Sequence, residues 1–107
     1  MSKPLKIQIV ELARALIADE QHWCTHNLAL DNNGIGVSPT SSRAVKRCAL
    51  GALIAAANQL THDFDAAYEL GHEALARIGH HVILMHVNDV RGHAAVLALF
   101  DQVIAEG

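Results

Sequence analysis

The chain is poor in aromatic residues: its 107 positions hold one Trp, one Tyr and two Phe, namely Trp23, Tyr68, Phe64 and Phe100. A core without large rings has to be built from Ala, Leu, Val and Ile, and hydrophobic residues reach 51%. Small side chains let backbones approach closely, which suits packed helices. They also bury little area per residue, so pairing with a second copy would add stability, and a homo-oligomer is expected. Cysteine is scarce. Cys24 and Cys48 are too few for a disulfide framework, and no signal-peptide pattern precedes them. The N-terminal segment has Lys3 and Lys6 but no long apolar stretch, and no run reaches the roughly 18–20 apolar residues of a membrane span. The expectation is a cytoplasmic protein with reduced thiols and no membrane partner. Basic residues are few: Lys and Arg total 8 against 11 acidic residues, a formal net charge of −3. That balance argues against general nucleic-acid binding, which calls for a strongly basic face.

Histidine is abundant. The eight are His22, His26, His62, His72, His80, His81, His86 and His93. Imidazole titrates near neutral pH and is the commonest metal ligand, so any chemistry is sought there first. The set is scattered over every segment, and only His22/His26 and the 80–86 group cluster. As a whole it reads as a pH-sensitive surface rather than one active site.

Helical periodicity dominates the chain, and its length fits a single domain spanning residues 1–107. From Leu5 to about Gln21, the residues Ile9, Leu12, Ala13, Leu16 and Ile17 share one face, with Ser2 as N-cap and Pro4 in the first turn. Residues 22 to 40 change character. Trp23 and Cys24 tuck the helix end into the core, and Asn32-Asn33-Gly34 signals a turn compatible with a short β-hairpin. Ser38-Pro39-Thr40-Ser41-Ser42 resembles a helix start, predicting a second helix from about Ser41 to Leu60 with Ala44, Val45, Cys48, Ala49, Ala52, Leu53 and Ala56 inward. Gly51 costs about 1 kcal/mol relative to Ala inside a helix, which is explained if another backbone or a ligand lies against it. A third helix, capped by Thr61 or Asp63, runs to about Ile78 with Phe64, Ala67, Leu70, Gly71, Ala74, Leu75 and Ile78 inward, and Gly79 follows as its C′ residue. Residues 80–87 fit a strand or a short buried helix; the lack of a partner strand favours the helix. Residues 88–92 read as a break with Asp89 as a cap, and a last helix from about His93 to Ala105 turns Val96, Leu97, Phe100, Val103 and Ile104 inward.

Trp23-Cys24 with the downstream Asp31 and Gly34, the run from Cys48 to Leu53, Asn88-Asp89, and the closing helix from His93 to Phe100 occur in one order and spacing. Together they resemble a family of small bacterial and phage proteins that forms a domain of unknown function, over about residues 5 to 105. The chain departs from that pattern at Arg47, where an aromatic often precedes the Cys, and in the short spacing after Asn88-Asp89. The resemblance implies no activity, cofactor or catalytic residue. It does imply a phage-type accessory role, such as sequestering a nucleotide signal or blocking a defence protein.

Four groups could carry function. His22 and His26, four apart, would share a face of a continuous helix and could ligate one ion, with His80, His81 and His86 as further donors; surface and cap histidines explain the same letters. Cys48 beside a histidine could form a thiolate pair, yet its Ala and Leu neighbours suit a buried, inert thiol, and Cys24 beside Trp23 suits packing. Ser42 at a helix start, followed by Arg43, Lys46 and Arg47, makes the densest positive patch and would suit a phosphate, a nucleotide or an acidic partner; ordinary capping with a solvated basic face is the plainer account. Asn88, Asp89, Arg91 and His93 could line a pocket or simply cap and turn the chain. The expected protein is an all-α, compact four- to five-helix domain with an irregular arm or short β-hairpin near residues 22–40. Its expected role is non-catalytic binding of a phosphorylated small molecule or a protein partner, without a cofactor, through Ser42, Arg43, Lys46, Arg47, Asn88, Asp89, Arg91 and His93. The alternative is a small histidine-dependent enzyme, with or without a metal; the chain shows no paired carboxylates, phosphate-cradling glycine loop or complete triad pattern for it.

Overall fold

A computed structural model describes residues 3–78 and 81–106. Its elements are α1 (Leu5–Leu16), a 3₁₀ turn (Glu20–His22), β1 (Ala29–Leu30), β2 (Lys46–Arg47), α2 (Ala49–Thr61), α3 (Phe64–Ile78), α4 (His81–His86), a π-helical turn (Val87–Arg91) and α5 (His93–Glu106). The all-α expectation holds, with a two-stranded antiparallel sheet as the only sheet among the described residues.

The centre of the fold is α2. Every residue from Ala49 to Ala57 is buried, and a helix apolar on all sides belongs inside. Its alanines let α1 and α3 come close on either side. At Gly71 of α3 an added Cβ would lie 3.2 Å from the Ile54 backbone, so the α2–α3 contact depends on small residues. From α1 come Ile7, Ile9, Val10 and Ala13, followed by Ile17, while Leu12 and Leu16 sit at the core margin. From α5 come Val96, Phe100 and Val103, with Leu97 and Ile104 at the edge. An ion pair of Arg14 with Asp101 joins α1 to α5 on the outside.

Several element boundaries differ from expectation. Pro4 occupies the N-cap position of α1 rather than its first turn, and Ser2 and Gly79 lie outside the described residues. Asp63 does cap α3, accepting from the Ala66 N–H at 3.1 Å. Phe64 is not inward: as the first residue of α3 it is exposed and packs edge-on against Tyr68, with ring centroids 5.4 Å apart. Residues 80–87 fit the helical alternative where they are described, since α4 spans His81–His86. Residues 88–92 are no break. The chain continues as the π turn and stops only at Gly92, whose φ of 95° suits glycine. Asp89 therefore caps nothing that follows.

The largest correction concerns the second helix, which begins at Ala49 and not near Ser41. The backbone before it is engaged by the arm. Ala29 pairs with Arg47 and Leu30 with Lys46, Trp23 pairs in parallel with Arg47 on the other side, and the Cys48 N–H donates to Leu28 O at 3.2 Å. Residues 41–44 turn instead, with the Ala44 N–H donating to Ser41 O at 3.1 Å. Cys48 is consequently the N-cap residue of α2, its Sγ accepting from the Gly51 N–H at 3.3 Å, rather than a mid-helix thiol. Asn32-Asn33-Gly34 forms the expected turn. The Asp31 carboxylate accepts from the Asn33 and Ile35 N–H groups at 2.8 and 2.9 Å, and Gly34 takes a φ of 75°. The expectation of close approach at Gly51 is met by Leu28, whose carbonyl oxygen would lie 1.9 Å from an added Cβ.

Candidate functional site

Asn88 organises the interior of the arm. It is completely buried, on the π turn. Its Oδ1 accepts from the Trp23 indole N–H at 2.8 Å and from the Ala49 N–H at 3.0 Å. Its Nδ2 donates to Cys24 O at 3.2 Å and to Asp89 Oδ1 at 2.9 Å. An amide can fill four hydrogen-bond positions, and here all four are filled. Asn88 therefore ties the arm, the head of α2 and the π turn together, and it has no capacity left for a ligand.

Asp89 continues this network toward the surface. Its Oδ1 also accepts from the His26 N–H at 3.2 Å, and its Oδ2 lies 3.5 Å from His26 Nδ1. His26 holds a left-handed φ of 64°, unusual for a residue with a side chain, and its ring is exposed. His93, at the start of α5, donates from Nε2 to Ile17 O at 2.6 Å and lies 5.5 Å from Trp23, centroid to centroid. That bond places a proton on Nε2 and locks the exit of α1 against α5. Arg47 turns inward and donates from Nε to Pro39 O at 2.9 Å; its partial burial lowers the guanidinium pKa. Lys46 and Arg91 are exposed.

Both thiols are free and buried. Burial, and next the neighbouring Cys48, push the Cys24 thiol up to about 11 from an ordinary 9.0. Burial also raises Cys48, against the opposing hydrogen bond from the Gly51 N–H. Neither environment favours the thiolate that nucleophilic catalysis needs.

The candidate residues divide into three sets, of which the exposed Lys46 and Arg91 form one, lining neither the cleft nor the network. Ser42 and Arg43 line an open cleft of about 310 Å³ with Asp31, Asn32, Asn33 and Val45. Arg47, Asn88, Asp89 and His93 belong to the interior network instead. Because residues 41–47 are not helical, the anticipated helix-start anion site does not exist in that form, and Arg43, Lys46 and Arg47 do not share a helix face. The His22/His26 pair also loses its basis. α1 ends at Leu16, His22 lies on the 3₁₀ turn and His26 on a left-handed loop position. Among the described residues, no group of three or more His, Cys, Asp or Glu is arranged to hold a metal ion. His80 lies outside the described residues, as does the side chain of His81.

Sequence reasoning missed the other wall of the cleft. The two asparagines read there only as a turn signal and Asp31 only as part of the family resemblance, and nothing local shows that a turn faces Arg43 across a sheet. With this geometry in view, the profile of a family of unknown function, DUF6197, matches residues 1–106. The chain belongs to the DUF6197 family. No curated protein and no solved structure matches it. In this DUF6197 member, the residues that carried the resemblance are mostly architectural: Trp23, Cys24, Cys48 and Asn88 share the hydrogen-bonded interior, and Asp31 and Gly34 shape the turn beside the cleft.

Proposed function

We propose that this DUF6197 member is a small non-catalytic binding domain that takes a phosphorylated, nucleotide-type ligand in the cleft between residues 31–33 and 42–45. The observation that carries the reading is Arg43. It lines the cleft with the Ser42 hydroxyl and makes no ion pair among the described residues. A guanidinium in that position suits bidentate contact with a phosphate. The opposite wall, Asp31, Asn32 and Asn33, offers acceptors and donors for a hydroxyl-bearing or heterocyclic portion. The volume is at the lower end of the roughly 300–1,000 Å³ found for small-molecule sites. The accessory role implied by the family resemblance, in a bacterium or phage, fits a domain that sequesters such a ligand in the cytoplasm. The membrane plays no part in this reading; no helix among the described residues is long and apolar enough to cross one.

A histidine-dependent enzyme is the second reading, favoured by the His26–Asp89 pair. A carboxylate facing Nδ1 leaves an exposed Nε2 positioned to accept a proton.

One experiment separates the readings. Nucleoside mono-, di- and triphosphates and inorganic phosphate are screened by thermal shift, and the ligand is recovered and analysed. Binding predicts a shift with unchanged ligand, and Arg43→Ala weakens affinity by roughly tenfold or more. Turnover that is abolished in Asp89→Asn selects the enzyme. The absence of any shift with phosphate-bearing compounds overturns the cleft assignment.

A further inference from the structure

We propose that Cys24 and Cys48 are a disulfide-forming pair, a covalent modification site that staples the arm to the head of α2. The argument is geometric. Trp23 and Arg47 pair in parallel, and the Cys24 N–H donates to Arg47 O at 3.1 Å. The next residues along both segments are the two cysteines. Both segments stay extended there, with φ and ψ of −113° and 147° at Trp23 and −80° and 178° at Cys48. On the far side, Asn88 takes Cys24 O with its Nδ2 and the Ala49 N–H with its Oδ1. A direct bond thus precedes the two cysteines, and the inserted Asn88 amide bridges the two segments just beyond them. Neighbouring strands lie about 4.8 Å apart and in-register side chains share a face, which satisfies the roughly 4.4–6.8 Å Cα separation of a disulfide. Both thiols sit in one buried cluster, and ionisation of one opposes ionisation of the other.

The oxidant class is a low-molecular-weight disulfide. One cysteine thiolate attacks it, releasing one small thiol and leaving a mixed disulfide. The second cysteine then displaces the other small thiol. One small disulfide is reduced to two thiols, one protein disulfide forms, and the two cysteine protons end on the released thiols. The raised thiol pKa values make the first attack slow, while proximity fixes the equilibrium. The closed loop contains residues 25–47, which include every residue lining the cleft. Redox control of ligand access therefore rests on the cleft reading, whereas the bond itself does not.

The full chain is equilibrated at about pH 8 in mixtures of reduced and oxidised glutathione, acid-quenched and mapped by peptide mass, once in native buffer and once in concentrated urea. The native fold should favour the Cys24–Cys48 bond over the unfolded chain by roughly 100-fold. Equal or weaker preference in native buffer overturns the proposal, as does a native chain that carries only glutathione adducts. No nucleotide enters the measurement, so failure of the cleft reading leaves its outcome unaffected.

Discussion

Asn88 stabilises the arm through pairing rather than through apolar burial. Replacement by Ala leaves the Trp23 indole N–H, the Ala49 N–H and the Cys24 carbonyl without their partner. Each stranded buried group costs about 1–3 kcal/mol. Asn88→Ala should therefore lower unfolding free energy by about 3–5 kcal/mol in urea titrations; a loss under about 1 kcal/mol would mean that water replaces the amide without penalty. Cys24, with Cys48 acting in the same direction, supplies a pH dependence. Its folded thiol titrates at about 11 against an ordinary 9.0, so between these values the folded chain keeps a proton that the unfolded chain has released. The stability this represents is fully present below about pH 9 and is lost as pH rises toward about 11, by roughly 2 kcal/mol. Urea midpoints at about pH 8 and about pH 10.5 should show that decline, and Cys24→Ser should reduce it, the buried Cys48 thiol, raised in the same direction, carrying the remainder. At this scale the sequence was informative about packing and uninformative about pairing. A buried thiol is legible from Ala and Leu neighbours, but Trp23, Cys24 and Ala49, three of the four partners of Asn88, lie 39 to 65 positions away, and no local pattern names them.

The helices were legible because apolar residues recur at helical spacing, and α3 and α5 lie where that spacing puts them, whereas α1 starts at Leu5 as expected but ends at Leu16, short of Gln21. The start of α2 was not. Ser38 to Ser42 has the hydroxyls of a helix start, but residues 44–48 exchange backbone hydrogen bonds with Cys24, Leu28 and Leu30, and this tertiary pairing prevails over the local preference. Gly51 was the visible trace of that pairing, since it marked where the arm lies against the helix. Gly51→Ala accordingly tests the arm–helix contact. Alanine is favoured in a helix interior by about 1 kcal/mol, yet its Cβ would collide with Leu28 O at 1.9 Å. The contact should dominate, giving a net loss of at least about 2 kcal/mol and a shifted Trp23 emission. An unchanged or raised melting temperature would show that the arm can lift away freely.

Across the whole molecule, the fold class followed from composition and period, whereas the candidate site did not survive as one unit. Arg43 and Arg47 are four positions apart, and the sheet sends one to the cleft and the other to Pro39. His93 and Asn88 have the polar character expected of ligand contacts, but they hold the arm to the helices instead. The Trp23–Asn88 bond also has a consequence for biosynthesis. The two residues are 65 positions apart, so at about 5–20 residues per second the arm waits roughly 3–13 s on the ribosome for the residue that fixes it. Until then α1 and α2 can meet while the segment between them hangs open, with Trp23 and both thiols exposed to solvent. The nascent chain is therefore most vulnerable to oxidants, proteases and chaperones before its last third emerges.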